Sequence, residues 1–247
     1  MRYVKGSVVA VAFALFAAPV VFAQGAAAPQ VPAGERSIGV KDGGIKIAGW
    51  QGKMDESREN TGLTVNDARL VSMGGGMHVT TGPSMTYWNP ANKATGDYTV
   101  KATFTESNYM GLNDHPHPYG IVIAGNDLGT AKQSYLYCAA YGDGRFILRG
   151  FGEPQPGGTP AGNFQIGRAA ANAAVHKAAG KGSSVTQEIA MSVKGDKVSC
   201  SINGTEVASV TKAELVVPGK LTSTDGVYGI GFGHNTDAMV TGLTVVK

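Results

Sequence analysis

From residue 38 onward, apolar and polar positions alternate in short runs, and each run breaks at Gly, Asn or Asp. Alternation with a period of two sends successive side chains to opposite faces of an extended strand. The pattern predicts strands over 45–50, 69–73, 76–80, 85–88, 98–106, 119–124, 135–141, 145–151, 188–194, 197–202, 206–210, 227–233 and 238–246. Between them lie turn sequences: Gly142-Asp143-Gly144, Lys194-Gly195-Asp196-Lys197 and Asn203-Gly204. The last two are strong hairpin signals. Many short strands at fairly regular spacing predict an all-β sandwich or barrel.

Two stretches depart from this pattern. Residues 153–165, EPQPGGTPAGNFQ, read as a Pro/Gly loop, and the Ala-rich residues 166–182 predict a short helical insertion ending at Gly180 or Gly182. His176 in that insertion reads as a bystander. At the other end, Arg2 and Lys5 precede an apolar run over residues 6–22, and Val21-Phe22-Ala23 stands before Gln24. This arrangement predicts a secretory signal peptide over residues 1–23, with a retained N-terminal anchor as the alternative. No Cys follows the apolar run, which argues against a lipid anchor. Residues 24–37 are rich in Ala, Pro and Gly without periodicity and read as a flexible linker, leaving 38–247 as the folded domain. The expected location is therefore outside the cytoplasm, in a periplasm or at a cell surface, with membrane association open.

Composition narrows the function classes. There are 36 glycines, as many tight turns require, and charged residues make up only 16% of the chain. The net charge of +3 is small and the Lys and Arg residues are scattered, so nucleic acid is not an expected partner. Cys138 and Cys200 are the only cysteines, so an exported chain has one disulfide open to it.

The segment SYLYCAAYGDGRFILRGFG reads as two strands around the Gly142–Gly144 turn. One face carries Tyr135, Tyr137, Ala139 and Tyr141, then Arg145, Ile147, Arg149 and Phe151. The other carries Leu136, Cys138 and Ala140, then Phe146 and Leu148, and is core. A face of Tyr and Arg suits a binding surface, because Tyr joins an apolar body to a polar tip and Arg presents a planar fork of donors. A glycan or a protein would fit it. So would simple cross-strand packing under a loop. Cys200 shares its face with Val198 and Ile202, so both thiols point inward. Neighbouring strands satisfy the reach of a disulfide more easily than facing sheets.

The C-terminal half, EIAMSVKGDKVSCSINGTEVASV followed by DGVYGIGFGHNTDAMVTGLTV, resembles the concanavalin A-like lectin/glucanase jelly roll, with laminin-G-like and 3-keto-disaccharide hydrolase-like domains as the nearest types. The upstream strands fit the same order, so the resemblance spans about residues 40–247. It implies a two-sheet jelly-roll sandwich. It does not choose among lectins, glycosidases and adhesion modules. The glucanase members place two carboxylates on one strand face across the sugar bond. Here the nearest acidic cluster, Asp55, Glu56 and Glu59, has the wrong spacing, and Glu106 and Glu188 stand apart. A retaining glucanase of that type is not expected.

Asp114, His115 and His117 are the remaining chemistry. Pro116 and Pro118 hold this segment extended, which puts the two histidines on one side. With a further ligand from Asp127, Asp143 or His234 they could hold Zn²⁺, whereas Ca²⁺ would prefer the Asp and Asn oxygens nearby. The plain alternative is an exposed loop. Trp88 ends a strand before a turn and is a candidate stacking platform; Trp50 reads as core. The methionines of 73–85 do not have copper-site spacing. Three functions stay open: an exported non-catalytic recognition module using Tyr135, Tyr137, Tyr141, Arg145, Arg149 and Trp88; a carbohydrate-active hydrolase with Asp114, His115 and His117 nearest catalysis; and an accessory subunit of a membrane protein complex.

Overall fold

A computed structural model describes Met1 and residues 36–153 and 162–247. The expected signal peptide, most of the linker and residues 154–161 of the Pro/Gly loop lie outside the described residues. Among the described residues no helix is long and apolar enough to cross a membrane.

Among the described residues sixteen strands follow one another: β1 (Gly44–Ile45), β2 (Gln51–Met54), β3 (Arg69–Met73), β4 (Gly76–Thr80), β5 (Met85–Ala94), β6 (Tyr98–Glu106), β7 (Tyr119–Asn126), β8 (Ser134–Ala140), β9 (Arg145–Phe151), β10 (Asn163–Gln165), β11 (Ala170–Ala171), β12 (Val185–Lys194), β13 (Lys197–Ile202), β14 (Thr205–Thr211), β15 (Gly226–Phe232) and β16 (Asp237–Val246). They form two sheets. The first has the order β1-β3-β4-β16-β6-β12-β13-β14; the second has the order β10-β9-β8-β7-β15-β5-β2, with β11 added to β9. The C-terminal strands lie inside the sheets, β16 between β4 and β6 and β15 between β7 and β5, while β1 and β2 lie at edges.

Alternation decides which side chains fill the space between the sheets. In β12 every second residue is buried, and Ile189, Met191 and Val193 meet Val100, Ala102 and Phe104 of the paired strand β6 on the inner face. From the opposite sheet come Ile121 and Ile123 of β7, Leu136 and Cys138 of β8, and Ile230 of β15. Full burial of one such side chain stabilises by roughly 1.5–3 kcal/mol. The β12–β13 and β13–β14 hairpins have two-residue loops at the expected places. Asn203 and Gly204 in the second have φ of 50° and 82°, the left-handed pair that matches the twist of a tight hairpin.

Cys138 on β8 and Cys200 on β13 are joined by a disulfide, with Cα atoms 6.3 Å apart. The bridge links the facing sheets, not neighbouring strands, and both thiols point into the core between them.

Two local expectations are corrected. Of residues 45–50 only Ile45 is in a strand, at the end of β1; the backbone then turns where Trp50 N donates to Ile47 O, with Gly49 at φ 78°. Trp50 itself packs against the core. The Ala-rich residues 166–182 form no helix. A short isolated helix is marginal in water, and here the backbone has better partners. The buried Gln187 of β12 accepts from His176 N and donates to His176 O, and Asn203 donates to Ala174 O. The segment is therefore laid out as turns and the short strand β11. Among the described residues the one α-helix is α1 (Lys212–Leu215), capped by Thr211 and Glu214.

Candidate functional site

The second sheet carries Tyr135, Tyr137, Ile147, Arg149 and Phe151 on the face away from the first sheet, as the alternation predicts. The structure covers part of that face. Tyr135 is 1% exposed and Tyr137 is 4% exposed. Tyr135 stacks on Phe151 at 4.6 Å and takes a hydrogen bond from Thr86 Oγ1, and Tyr137 Oη donates to Gly231 O. Burial pushes both phenols well above their usual range. They are buried and are not surface contacts, which corrects the expectation that they bind a partner directly. Trp88 is also corrected: it is buried, and the turn at Gly129 lies over its indole.

A groove of about 450 Å³ opens at Phe151, the residue stacked on Tyr135. One wall is the β9 side, with Arg145, Arg149 and the preceding Tyr141. Arg145 lies over the Tyr141 ring, 4.7 Å from its centroid, and is held by Asp143 at 2.6 Å. Arg149 lies over Phe151 and Tyr137, at 5.1 and 5.6 Å. Its Nε is buried without a hydrogen-bond partner. A buried donor left unpaired costs about 1–3 kcal/mol, more when charged.

The opposite wall is acidic. Asp55, Glu56 and Glu59 line the groove from the segment after β2. This is the cluster whose spacing excludes a strand-borne glucanase pair; the fold places it here by another route. The buried Asn60 shapes the segment: its amide donates to Asp55 O at 2.7 Å, and its oxygen accepts from Ser37 Oγ and Ser84 N. Burial raises the pKa of Asp55, opposed by the charges of Arg149 and Lys53. The hydrogen bond from Ser57 lowers that of Glu59, helped by nearby His234 and Arg58. The sequence signal for this wall is the run MDESREN, where one Asn follows three carboxylates.

The third side is histidine. The β7–β15 ladder pairs Tyr119 with Phe232, and Gly233 N donates to Pro118 O at 2.7 Å. Carrying that antiparallel register outward sets His117 opposite His234. Their rings are 3.9 Å apart between centroids, and those of His115 and His117 are 4.4 Å apart. One ring nitrogen from each of the three histidines lies within 4.8 Å of the others. Burial, with the neighbouring imidazoles, lowers the pKa of His117 to about 3. The approach needs Gly233, because a Cβ there would stand 2.9 Å from His117 Cβ and 2.8 Å from Pro118 Cδ.

Of the residues singled out in the sequence, His115, His117, Tyr141, Arg145 and Arg149 meet at this groove, with His234 as the third imidazole. Asp114 does not join them. It points outward and pairs with Lys181 at 3.1 Å. Asp143 is engaged by Arg145, and the histidine group forms without Asp127.

No protein-family model and no curated protein sequence matches the chain. Solved structures do. The carbohydrate binding module CBM66 from Bacillus subtilis aligns with a TM-score of 0.52 at 8% identity, over 83% of this chain and 99% of that one. The endo-1,3-beta-glucanase from Streptomyces sioyaensis aligns at 0.49 and 12% identity, over 89% of this chain and 98% of that one. At such identities the likeness concerns fold and not activity. The two sheets, their inner-face packing and the likeness to the carbohydrate binding module show a two-sheet jelly-roll sandwich fold.

Proposed function

We propose that the protein is a non-catalytic recognition module that binds a carbohydrate in the groove between Arg149, Tyr141 and the acidic segment. The observation that carries this reading is the lining of the groove, which offers what a sugar needs: Arg145 and Arg149 as donors, Asp55 and Glu59 as acceptors, and the Tyr141 ring for a C–H face. A concave, polar cleft suits an oligosaccharide better than a flat protein partner. The solved carbohydrate binding module with the same fold adds support. The lack of a strand-borne carboxylate pair in the sequence favours binding over hydrolysis. We place this activity outside the cytoplasm, on the strength of the signal-like N-terminus and the Cys138–Cys200 bridge.

The test is calorimetric titration of the purified chain with a panel of neutral and acidic oligosaccharides, with a reducing-end assay run in parallel. The expected result is saturable binding without new reducing ends. Arg149→Gln should weaken that binding by roughly ten- to a hundredfold, the equivalent of a hydrogen bond to a charged group. Absence of binding across the panel, or steady release of reducing ends, overturns the reading.

A further inference from the structure

Three of the five histidines in the chain converge at one end of the groove. They come from two separate parts of the sequence, and the means of their convergence are specific. Pro116 and Pro118 stiffen the extended segment, so His115 and His117 lie two residues apart on one side. The β7–β15 register brings His234 opposite His117, and Gly233 leaves the space for the two strands of chain to close. Bringing the rings together takes a nitrogen of His117 out of water. His117 Nε2 is buried with no hydrogen-bond partner, which carries a cost that an ion would remove.

We propose that His115, His117 and His234 form a binding site for a borderline divalent transition-metal ion, with Zn²⁺ as the representative. The donor set decides the metal class. Imidazole nitrogen suits Zn²⁺ and its first-row neighbours, whereas Ca²⁺ and Mg²⁺ take oxygen ligands. The distances fit a site close to closure. Tetrahedral Zn²⁺ with Zn–N bonds of about 2.0–2.1 Å separates its ligand nitrogens by about 3.3 Å, and the three nitrogens now lie within 4.8 Å of one another. Small rotations of the rings draw them in. Three protein ligands leave a further position open, and Glu59 on the same cleft adds negative charge. The ion would be held whether or not a sugar follows, so this inference stands apart from the ligand proposed above.

The experiment uses the full chain without a polyhistidine tag, stripped with a chelator and dialysed. Zn²⁺ is added, unbound metal is removed on a desalting column, and bound metal is counted by mass spectrometry. Co²⁺ is added to a second sample and its visible spectrum recorded. The expected result is one Zn²⁺ per chain and the intense bands of tetrahedral Co²⁺. His117→Gln and His234→Gln should each weaken Zn²⁺ by on the order of a hundredfold or more, beyond the 10–100-fold that loss of an outer-shell partner costs. His176→Gln, at an exposed histidine apart from the cluster, should leave occupancy unchanged. Because the two buried-side variants could disturb folding, His115→Gln is measured with them, and circular dichroism checks every variant. Failure of the wild-type chain to hold stoichiometric Zn²⁺ overturns the site. So does full occupancy in folded His115→Gln, or loss of metal on His176→Gln. Sugar titration of the stripped chain reads the groove independently, so the two proposals fail separately.

Discussion

Glu106 offers a sharp test of the electrostatics. It ends β6 with 7% of its surface exposed, and its carboxylate accepts from Met110 N at 3.1 Å. Burial, reinforced by Asp237 and opposed by that hydrogen bond, raises its pKa from 4.5 to about 7. Folding therefore holds a proton that the unfolded chain releases near pH 4.5. Between these two values the folded state binds more protons, so stability falls as pH rises through the window. The difference of 7 − 4.5 = 2.5 pH units corresponds to about 3 kcal/mol of lost stability above pH 7. Glu106→Gln replaces the carboxyl by a neutral group of the same shape that still accepts from Met110 N. Its expected stability gain over the wild type is near zero below pH 4.5 and grows to about 3 kcal/mol by pH 8. At roughly 2–4 °C per kcal/mol for a domain of this size, the Tm difference reaches about 6–12 °C. The low pKa of His117 makes both proteins lose stability as pH falls below about 6.5, and cancels in the difference. Denaturant melts of the two proteins from pH 4 to pH 9 are the assay. A pH-independent difference, or a variant less stable at pH 8, would refute the assignment of a buried, late-titrating carboxyl.

Three further outcomes follow from the packing. Replacing both Cys138 and Cys200 by Ala opens a loop of 62 residues and should cost about 4 kcal/mol in the chain-entropy account, read as a lower midpoint in guanidinium; coincident wild-type and variant curves would show that the bridge contributes little. Gln187→Ala removes the side chain that pins His176 and Asn203, and should cost about 2–3 kcal/mol while amide exchange accelerates through 172–178 more than in the β12–β13 hairpin. Gly233→Ala forces a Cβ against His117 and Pro118 and should lower stability by about 1–3 kcal/mol by thermal melting, whereas an unchanged melt would mean that the histidine loop can move aside freely.

The groove shows how far a sequence can lead toward a site. Alternation separates Tyr135 and Tyr137 from Leu136 and Cys138 correctly, but says nothing about what covers the outer face. Part of that cover comes from Thr86 and Gly231, on strands remote in sequence. The pairing of His115 with His117 follows from two prolines. Their meeting with His234 depends on the register between β7 and β15, which no local signal carries. The acidic run at Asp55 is visible as composition, while its place opposite Arg149 is set by how Asn60 fastens it to Ser37 and Ser84.

What the sequence determines by itself is local and periodic. Strand positions such as 69–73, 98–106 and 197–202, the two-residue hairpins at Gly195 and Asn203, and the inward faces of the strands follow from a period of two and from residues that accept left-handed backbone. The tertiary structure decided the rest. It spread the Ala-rich residues 166–182 as turns, because buried side chains of another strand satisfy their backbone better than a marginal helix would. It buried Trp88, carried the disulfide across the two sheets, and gathered arginines, carboxylates and histidines at one cleft. Each of these depends on contacts between residues far apart in the chain, whose free energy exists only once both sheets are in place.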